Sequence, residues 1–217
     1  MNPQPRKISV ILSTGLLLVL LTLLLAYLLT GLQSRVNHRP PLPVIGAIND
    51  FALTNQLGNA VSLADLRGQV WIADIIFTRC PGPCLKMTRQ MKELQDALPA
   101  ASKTRLVTLT TDPDFDTPPV LAKYAERFNV ETNRWMFFTG TKKEVGAFAA
   151  GSLKLSAVET DPAKRKSEID MFDHSTGFVI VDKQARLRGV FETGGEGVDW
   201  QIEKQKILSA VKQLERE

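Results

Sequence analysis

Phe77-Thr78-Arg79-Cys80-Pro81-Gly82-Pro83-Cys84 holds both cysteines of this 217-residue chain. An apolar run, Val70 to Phe77, leads into it, and a helical pattern, Met87 through Leu98, leads out of it. The pair is therefore expected at the tip of a buried strand, where the chain turns into the first turn of a helix. That placement predicts exposed sulfurs, with the helix N-terminus favouring thiolate charge.

Outward from this stretch the pattern alternates. Thr104 to Thr111 reads as a second strand parallel to the first. Asp116-Thr117-Pro118 opens a helix that runs to about Phe128, with Asp or Thr as cap. Arg134 to Phe138 is a short strand, and Thr141 to Gly151 a helix capped by Thr141. Thr176 to Val181 and Arg186 to Phe191 form a hairpin around Asp182-Lys183-Gln184-Ala185. A closing helix, Val198 to Glu217, turns Ile202, Ile207, Val211 and Leu214 inward. Phe51 to Leu63 makes a preceding strand pair, and Ser152 to Ser167 reads as an exposed, irregular insertion. Asp74 interrupts the first core strand and is expected at an edge or against a partner. This order predicts an α/β fold with a central mixed sheet flanked by helices. A cysteine pair at the first core strand–helix junction makes the arrangement thioredoxin-like.

Four segments follow from composition. Residues 1–7 form a short cytoplasmic tail. Residues 8–32 are almost wholly apolar and uncharged, long enough to cross a hydrocarbon core of about 30 Å as one helix. A cleaved signal peptide would have a shorter apolar region and a small-residue cleavage site, which the sequence after Thr30 does not offer. Residues 33–49 read as a Pro-rich linker with Pro40, Pro41 and Pro43, and residues 50–217 as the thioredoxin-like domain. Positive charges nearly balance across the apolar segment, Arg6 and Lys7 against Arg35 and Arg39; the short tail favours an N-inside orientation. The net charge of +4 is dispersed among Asp and Glu, with no basic stripe interleaved with aromatics, so nucleic acid is not expected as a partner.

The spacing Cys-x-x-x-Cys leaves two chemistries open. Two thiolates four apart on one helical face suit a shared metal ion, whereas a disulfide needs a closer approach that only a loop can supply. Two histidines are available. His38 lies in the linker and reads as incidental; His174 immediately precedes the strand at Gly177 and would face the cysteine loop. Cys80, Cys84 and His174 are therefore the candidate metal ligands. Thiolates with one imidazole select Cu(I) or Zn(II). A structural zinc site wants four ligands and no fourth is evident, so copper, as Cu(I) or Cu(II), is the expected metal. Met87 and Met91 read as core residues rather than ligands.

The motifs together resemble the Sco/SenC family of membrane-anchored copper-binding proteins that assist cytochrome c oxidase assembly. The resemblance rests on Phe51 to Gly58, Phe77 to Cys84, Thr111-Asp112-Pro113-Asp114-Phe115-Asp116-Thr117-Pro118, Trp135, Thr139-Gly140 and Asp173-His174-Ser175. It implies a copper site made by Cys80, Cys84 and His174. It also implies delivery of copper to the binuclear copper centre of cytochrome c oxidase, or reduction of that centre's thiols. The copper-bearing oxidase subunit is then the expected partner, with other copper chaperones or thiol reductants as further candidates. The resemblance favours a single-pass protein of the bacterial inner membrane with its C-terminal domain in the periplasm, since no transit peptide precedes Ile8. Many family members have Pro after the second cysteine, where this chain has Leu85. Asp112 and Asp116 belong to the family pattern and read as turn and helix-cap residues. A metallochaperone is favoured over an enzyme. The rival is a thiol–disulfide oxidoreductase in which Cys80 attacks and Cys84 resolves. A peroxidase is a distant third, with no separate Thr-x-x-Cys pattern to support it.

Overall fold

The computed structural model describes residues 5–36, 40–165, 172–195 and 197–217. It divides into two units, residues 1–41 and 42–217. The first contains α1 (Pro5–Val36), a helix whose stretch Leu12–Thr30 is long and apolar enough to cross a membrane. Its described side chains there are exposed.

The second unit is built on an eight-stranded mixed sheet. Its strands are β1 (Gly46–Ala47), β2 (Ala52–Asn55), β3 (Ala60–Ser62), β4 (Trp71–Ile76), β5 (Arg105–Thr110), β6 (Trp135–Thr139), β9 (Gly177–Val181) and β10 (Arg186–Glu192). The order across the sheet is β1-β10-β9-β4-β5-β6-β2-β3. β4, β5 and β6 are parallel, with Ile72 opposite Leu106 and Leu106 opposite Trp135; β9 runs antiparallel to β4. A separate ribbon pairs β7 (Ala157–Glu159) with β8 (Phe172–His174). The helices are α2 (Pro83–Ala97), α3 (Pro118–Arg127), α4 (Lys142–Gly146), which continues as a π-helix over Ala147–Leu153, and α5 (Trp200–Leu214).

β4 is buried on both faces, which explains its unbroken apolar run. Its alternation sorts residues between two cores. Ile72 and Ile76 join Met87, Met91 and Leu94 of α2, Leu121 of α3 and Ile207 and Val211 of α5. Trp71, Ala73 and Ile75 join Leu63, Phe148 and Leu153 on the other face. Thr141 caps α4 through a reciprocal box with Glu144, and Asp199 caps α5 by accepting from the Gln201 and Ile202 amides.

Several expectations need correction. The folded unit begins at Leu42 rather than residue 50: β1 pairs with β10, and Ile48 is buried. Of the two places expected for Asp74, the edge is wrong and the partner is right: it sits in the centre of the sheet, fully buried, and accepts from the Thr108 hydroxyl at 2.6 Å. Ile202 is 55% exposed because α5 buries the face of Ile207, Ala210, Val211 and Leu214, and Ile202 falls off that stripe. The segment after Gly151 is not simply exposed and irregular. Ser152, Leu153 and Leu155 are buried and β7 follows; its end at Lys166 and Ser167 lies outside the described residues.

Candidate metal centre

β4 delivers the chain to the edge of the sheet at Phe77, and the Cys80 amide turns back onto the Phe77 carbonyl at 3.2 Å. α2 starts only at Pro83, where the missing amide hydrogen costs nothing in a first helical turn. Cys80 therefore sits in the loop and Cys84 in the first turn of the helix. The helical four-residue separation does not apply, and the loop brings the sulfurs together.

Both thiols are reduced and both are buried, Cys80 at 2% and Cys84 at 0% exposure. This overturns the expected exposure. Pro81 and Pro83 take the solvent side of the loop, while the thiols face the core formed by Phe77, Met87 and Phe172. The expected low thiolate energy is overturned as well for Cys84. Its thiol is pushed far up, first because it is hydrogen-bonded to Cys80 as a thiol, then because it is buried; a hydrogen bond from the Phe77 backbone opposes this and is outweighed. A soft cation placed between the sulfurs would supply the positive charge that the helix end does not.

The loop is held from several sides. The Thr88 hydroxyl donates to the Cys84 carbonyl at 2.9 Å and lies 2.9 Å from the Tyr124 hydroxyl of α3, which fixes the first turn of α2. The residues before Cys80 are held by the loop after β5. Asp116 accepts from the Thr78 amide at 3.0 Å, from the Thr78 hydroxyl and from the Thr110 hydroxyl. Arg79 pairs with Asp112, and its guanidinium lies 4.1 Å from the centre of the Phe115 ring. Burial raises the Asp116 carboxyl, and the hydrogen bonds from Thr110 and Thr78 counter part of that rise. Of the two caps the sequence offers for α3, Thr117 takes the position and Asp116 does not, while Asp112 holds a turn, its carbonyl accepting from the Phe115 and Asp116 amides. Asp112 and Asp116 also clamp the cysteine loop, a role that sequence reading missed. The available signal was topological, because loops that follow neighbouring parallel strands meet at one edge of a sheet.

The strand carrying His174 lies beside the same loop. Phe172 of β8 packs on Phe77 with ring centroids 5.1 Å apart. Gln90 of α2 donates to the Thr193 carbonyl at 3.0 Å, and the Thr193 amide donates to the Thr176 carbonyl at 3.2 Å. This chain of bonds ties the helix of Cys84 to the chain two residues past His174. His174 pairs through its backbone with Ala157; the place of its imidazole lies outside the described residues. Among the described residues, no cluster of three or more His, Cys, Asp or Glu side chains is placed to hold a metal ion. The donor set present is a soft pair of thiols, which suits a soft metal ion.

A mixed sheet flanked by helices, with a reduced thiol pair between the first core strand and its helix, defines a thioredoxin-like domain. The match to known proteins is more specific. The SCO1/SenC family model matches residues 45–207, and the chain belongs to that family. It is 33% identical over 147 residues to the SCO1 protein homolog of Bacillus subtilis, covering 67% of this chain and 73% of that one. It is 29% identical over 152 residues to a Stutzerimonas stutzeri protein named as copper-binding, covering 68% of this chain and 70% of that one. Among solved structures it superposes on BsSco with a TM-score of 0.66 and 29% identity, covering 81% of this chain and 98% of that one. BsSco is a member of the Sco family of cytochrome c oxidase assembly proteins in which a disulfide switch has been identified.

Proposed function

We propose that this protein is a membrane-anchored copper-binding protein that delivers copper to the binuclear copper centre of cytochrome c oxidase during assembly. Cys80 and Cys84 bind the metal as thiolates and His174 as a neutral imidazole, each thiol releasing its proton as copper enters. The observation that carries this reading is the reduced, mutually hydrogen-bonded thiol pair, buried beside the strand of His174. The copper-binding name of the Stutzerimonas relative supports the choice of metal. Release proceeds by ligand exchange with the acceptor, the copper-bearing oxidase subunit. α1 is the single-pass anchor in a bacterial inner membrane, with residues 42–217 in the periplasm; the apolar stretch Leu12–Thr30 supports it.

The test is an anaerobic Cu(I) titration of the reduced full chain in detergent against a competing chelator, alongside Cys80→Ser and His174→Ala. One tight equivalent, lost in the cysteine variant and sharply weakened in the histidine variant, is the expected result. Unchanged affinity in His174→Ala removes that ligand, and no tight binding in the parent chain removes the copper reading.

A second reading is thiol–disulfide exchange, favoured by the direct contact between the two thiols and by the disulfide switch of BsSco. Cys80 as thiolate attacks a disulfide of the partner, and Cys84 then displaces the partner's sulfur. Two electrons pass to the partner, which is released as a dithiol, and a Cys80–Cys84 disulfide remains. A Cys84→Ser variant that never retains a mixed disulfide with the oxidase subunit sinks this reading.

A further inference from the structure

The N-terminal ends of β4, β5 and β6 open onto a cleft of about 520 Å³. β4 is six residues long, so at about 3.3 Å per residue this cleft lies about 20 Å from the cysteine loop, at the opposite edge of the sheet. Gln69, Ser102, Lys103, Arg105, Asn133 and Arg134 supply its polar walls, and no carboxylate is among the lining residues. Among the described residues none of the three cations forms an ion pair. Their hydrogen-bond partners are neutral. Arg105 Nε donates to Gln69 Oε1 at 2.7 Å, and Arg134 donates to the carbonyls of Leu98, Pro99, Ala100 and Ser102 at 3.3–3.4 Å. Beside the cleft, Glu215 accepts from the Ser102 and Thr104 hydroxyls at one wall. Three positive charges thus converge on one concavity whose lining holds no carboxylate. Elsewhere the chain interleaves its signs, as in the pairs Lys92–Asp96, Lys206–Glu203 and Lys204–Glu93.

We propose that this cleft binds a phosphate-bearing anion. The planar fork of Arg105 keeps its terminal nitrogens clear of protein acceptors among the described residues, and it matches two phosphate oxygens at once. Lys103, exposed at the mouth, adds a mobile point charge, and the Ser102 hydroxyl and Asn133 amide add neutral donors. Arg134 contributes field rather than direct bonds, because its donors already hold the end of α2. A bound phosphate would offset the repulsion among the three cations, which form no ion pair among the described residues. Two sources carry this chemistry: a soluble phosphate compound and the headgroup of an anionic lipid. The chain enters the folded unit at this end of the sheet. The Leu42 carbonyl and the Asp182 carboxylate share the Arg188 guanidinium, and the adjoining Lys183 carbonyl accepts from the amide of Gly68, a cleft residue.

The experiment is native mass spectrometry of the full chain in a neutral detergent, with pyrophosphate in one arm and short-chain phosphatidylglycerol against phosphatidylcholine in the other. The comparison is a Lys103→Ala/Arg105→Gln double variant, with Lys103→Ala alone as a milder control that removes only an exposed side chain. An unchanged far-ultraviolet spectrum and thiol count show that each variant is folded. One retained pyrophosphate, weakened at least about tenfold in the double variant, supports the site and a soluble ligand. Preferential retention of phosphatidylglycerol, lost in the same variant, supports the site and a headgroup ligand. Equal retention by parent and variant, retention of neither probe, or binding of polyglutamate but not of phosphate overturns the proposal.

Discussion

The carboxylate of Asp116 accepts hydrogen bonds from both the amide and the hydroxyl of Thr78, two residues ahead of Cys80. The loop that follows β5 therefore sets the starting point of the cysteine loop that follows β4. Asp112 repeats the device one residue closer to the thiol by pairing with Arg79, and its own amide donates to the Thr110 hydroxyl at 2.9 Å.

Removing the clamp should loosen the thiols and weaken the fold together. Asp116→Ala deletes a buried acceptor and leaves the Thr78 amide and the Thr110 hydroxyl without it. A loss of about 3 kcal/mol is expected in denaturant unfolding. Asp116→Asn keeps one acceptor oxygen and should cost less. Faster alkylation of Cys80 in Asp116→Ala, under conditions where the chain is still folded, checks the positional part; an unchanged rate shows that the clamp does not hold the thiol.

Cys84 should be a slow nucleophile in the native chain. It is fully buried, hydrogen-bonded to Cys80 and pushed up in its titration. Iodoacetamide at pH 8 should label it at least about tenfold more slowly than in the denatured chain, because only the thiolate reacts. Peptide mapping after timed quenching gives the two rates. Similar rates would place the sulfur in solvent.

Phe172 couples the ribbon of β7 and β8 to the cysteine loop through its stack on Phe77. Phe172→Ala removes a ring that is 7% exposed and should cost about 3 kcal/mol. It should also reduce Cu(I) affinity and speed alkylation of the thiols, since it disturbs the strand of His174 and opens the apolar cover over the sulfurs. Unchanged affinity in a folded Phe172→Ala protein separates the ribbon from metal binding.

Asp182 should govern part of the acid limb of stability. Burial alone would raise its carboxyl, but hydrogen bonds from Arg188 and from the amide and side chain of Arg186 outweigh it, and the net direction is down. A carboxyl lowered in the folded state binds fewer protons there than in the unfolded chain. Its contribution is present above the ordinary aspartate value of about 3.9 and is lost as the pH falls below it. Asp182→Asn should lower stability at pH 7 and flatten the decline below pH ~4, measured by urea unfolding across pH 3–7. An unaltered slope assigns the acid limb to other groups.

Local rules made much of this protein legible from its residues. The unbroken apolar run of β4, the helical spacing of Met87, Met91 and Leu94, the turn at Asp182 and the cap at Thr141 all depend on neighbours a few positions apart. The apolar segment after Lys7 and the thiol pair at a strand–helix junction were equally plain. What the sequence could not carry were properties set by contacts between distant segments. Whether the sulfurs face solvent depends on Phe172, nearly ninety residues past Cys84, closing over Phe77. Asp116 looks like a helix cap until β5 lies beside β4 and turns its carboxylate onto Thr78. Lys103, Arg105 and Arg134 look like scattered surface charge until three parallel strands begin at one edge and gather them in one cleft. Burial and convergence are properties of the packed chain, because solvent exclusion and field strength depend on distance in space, and only the tertiary structure sets those distances.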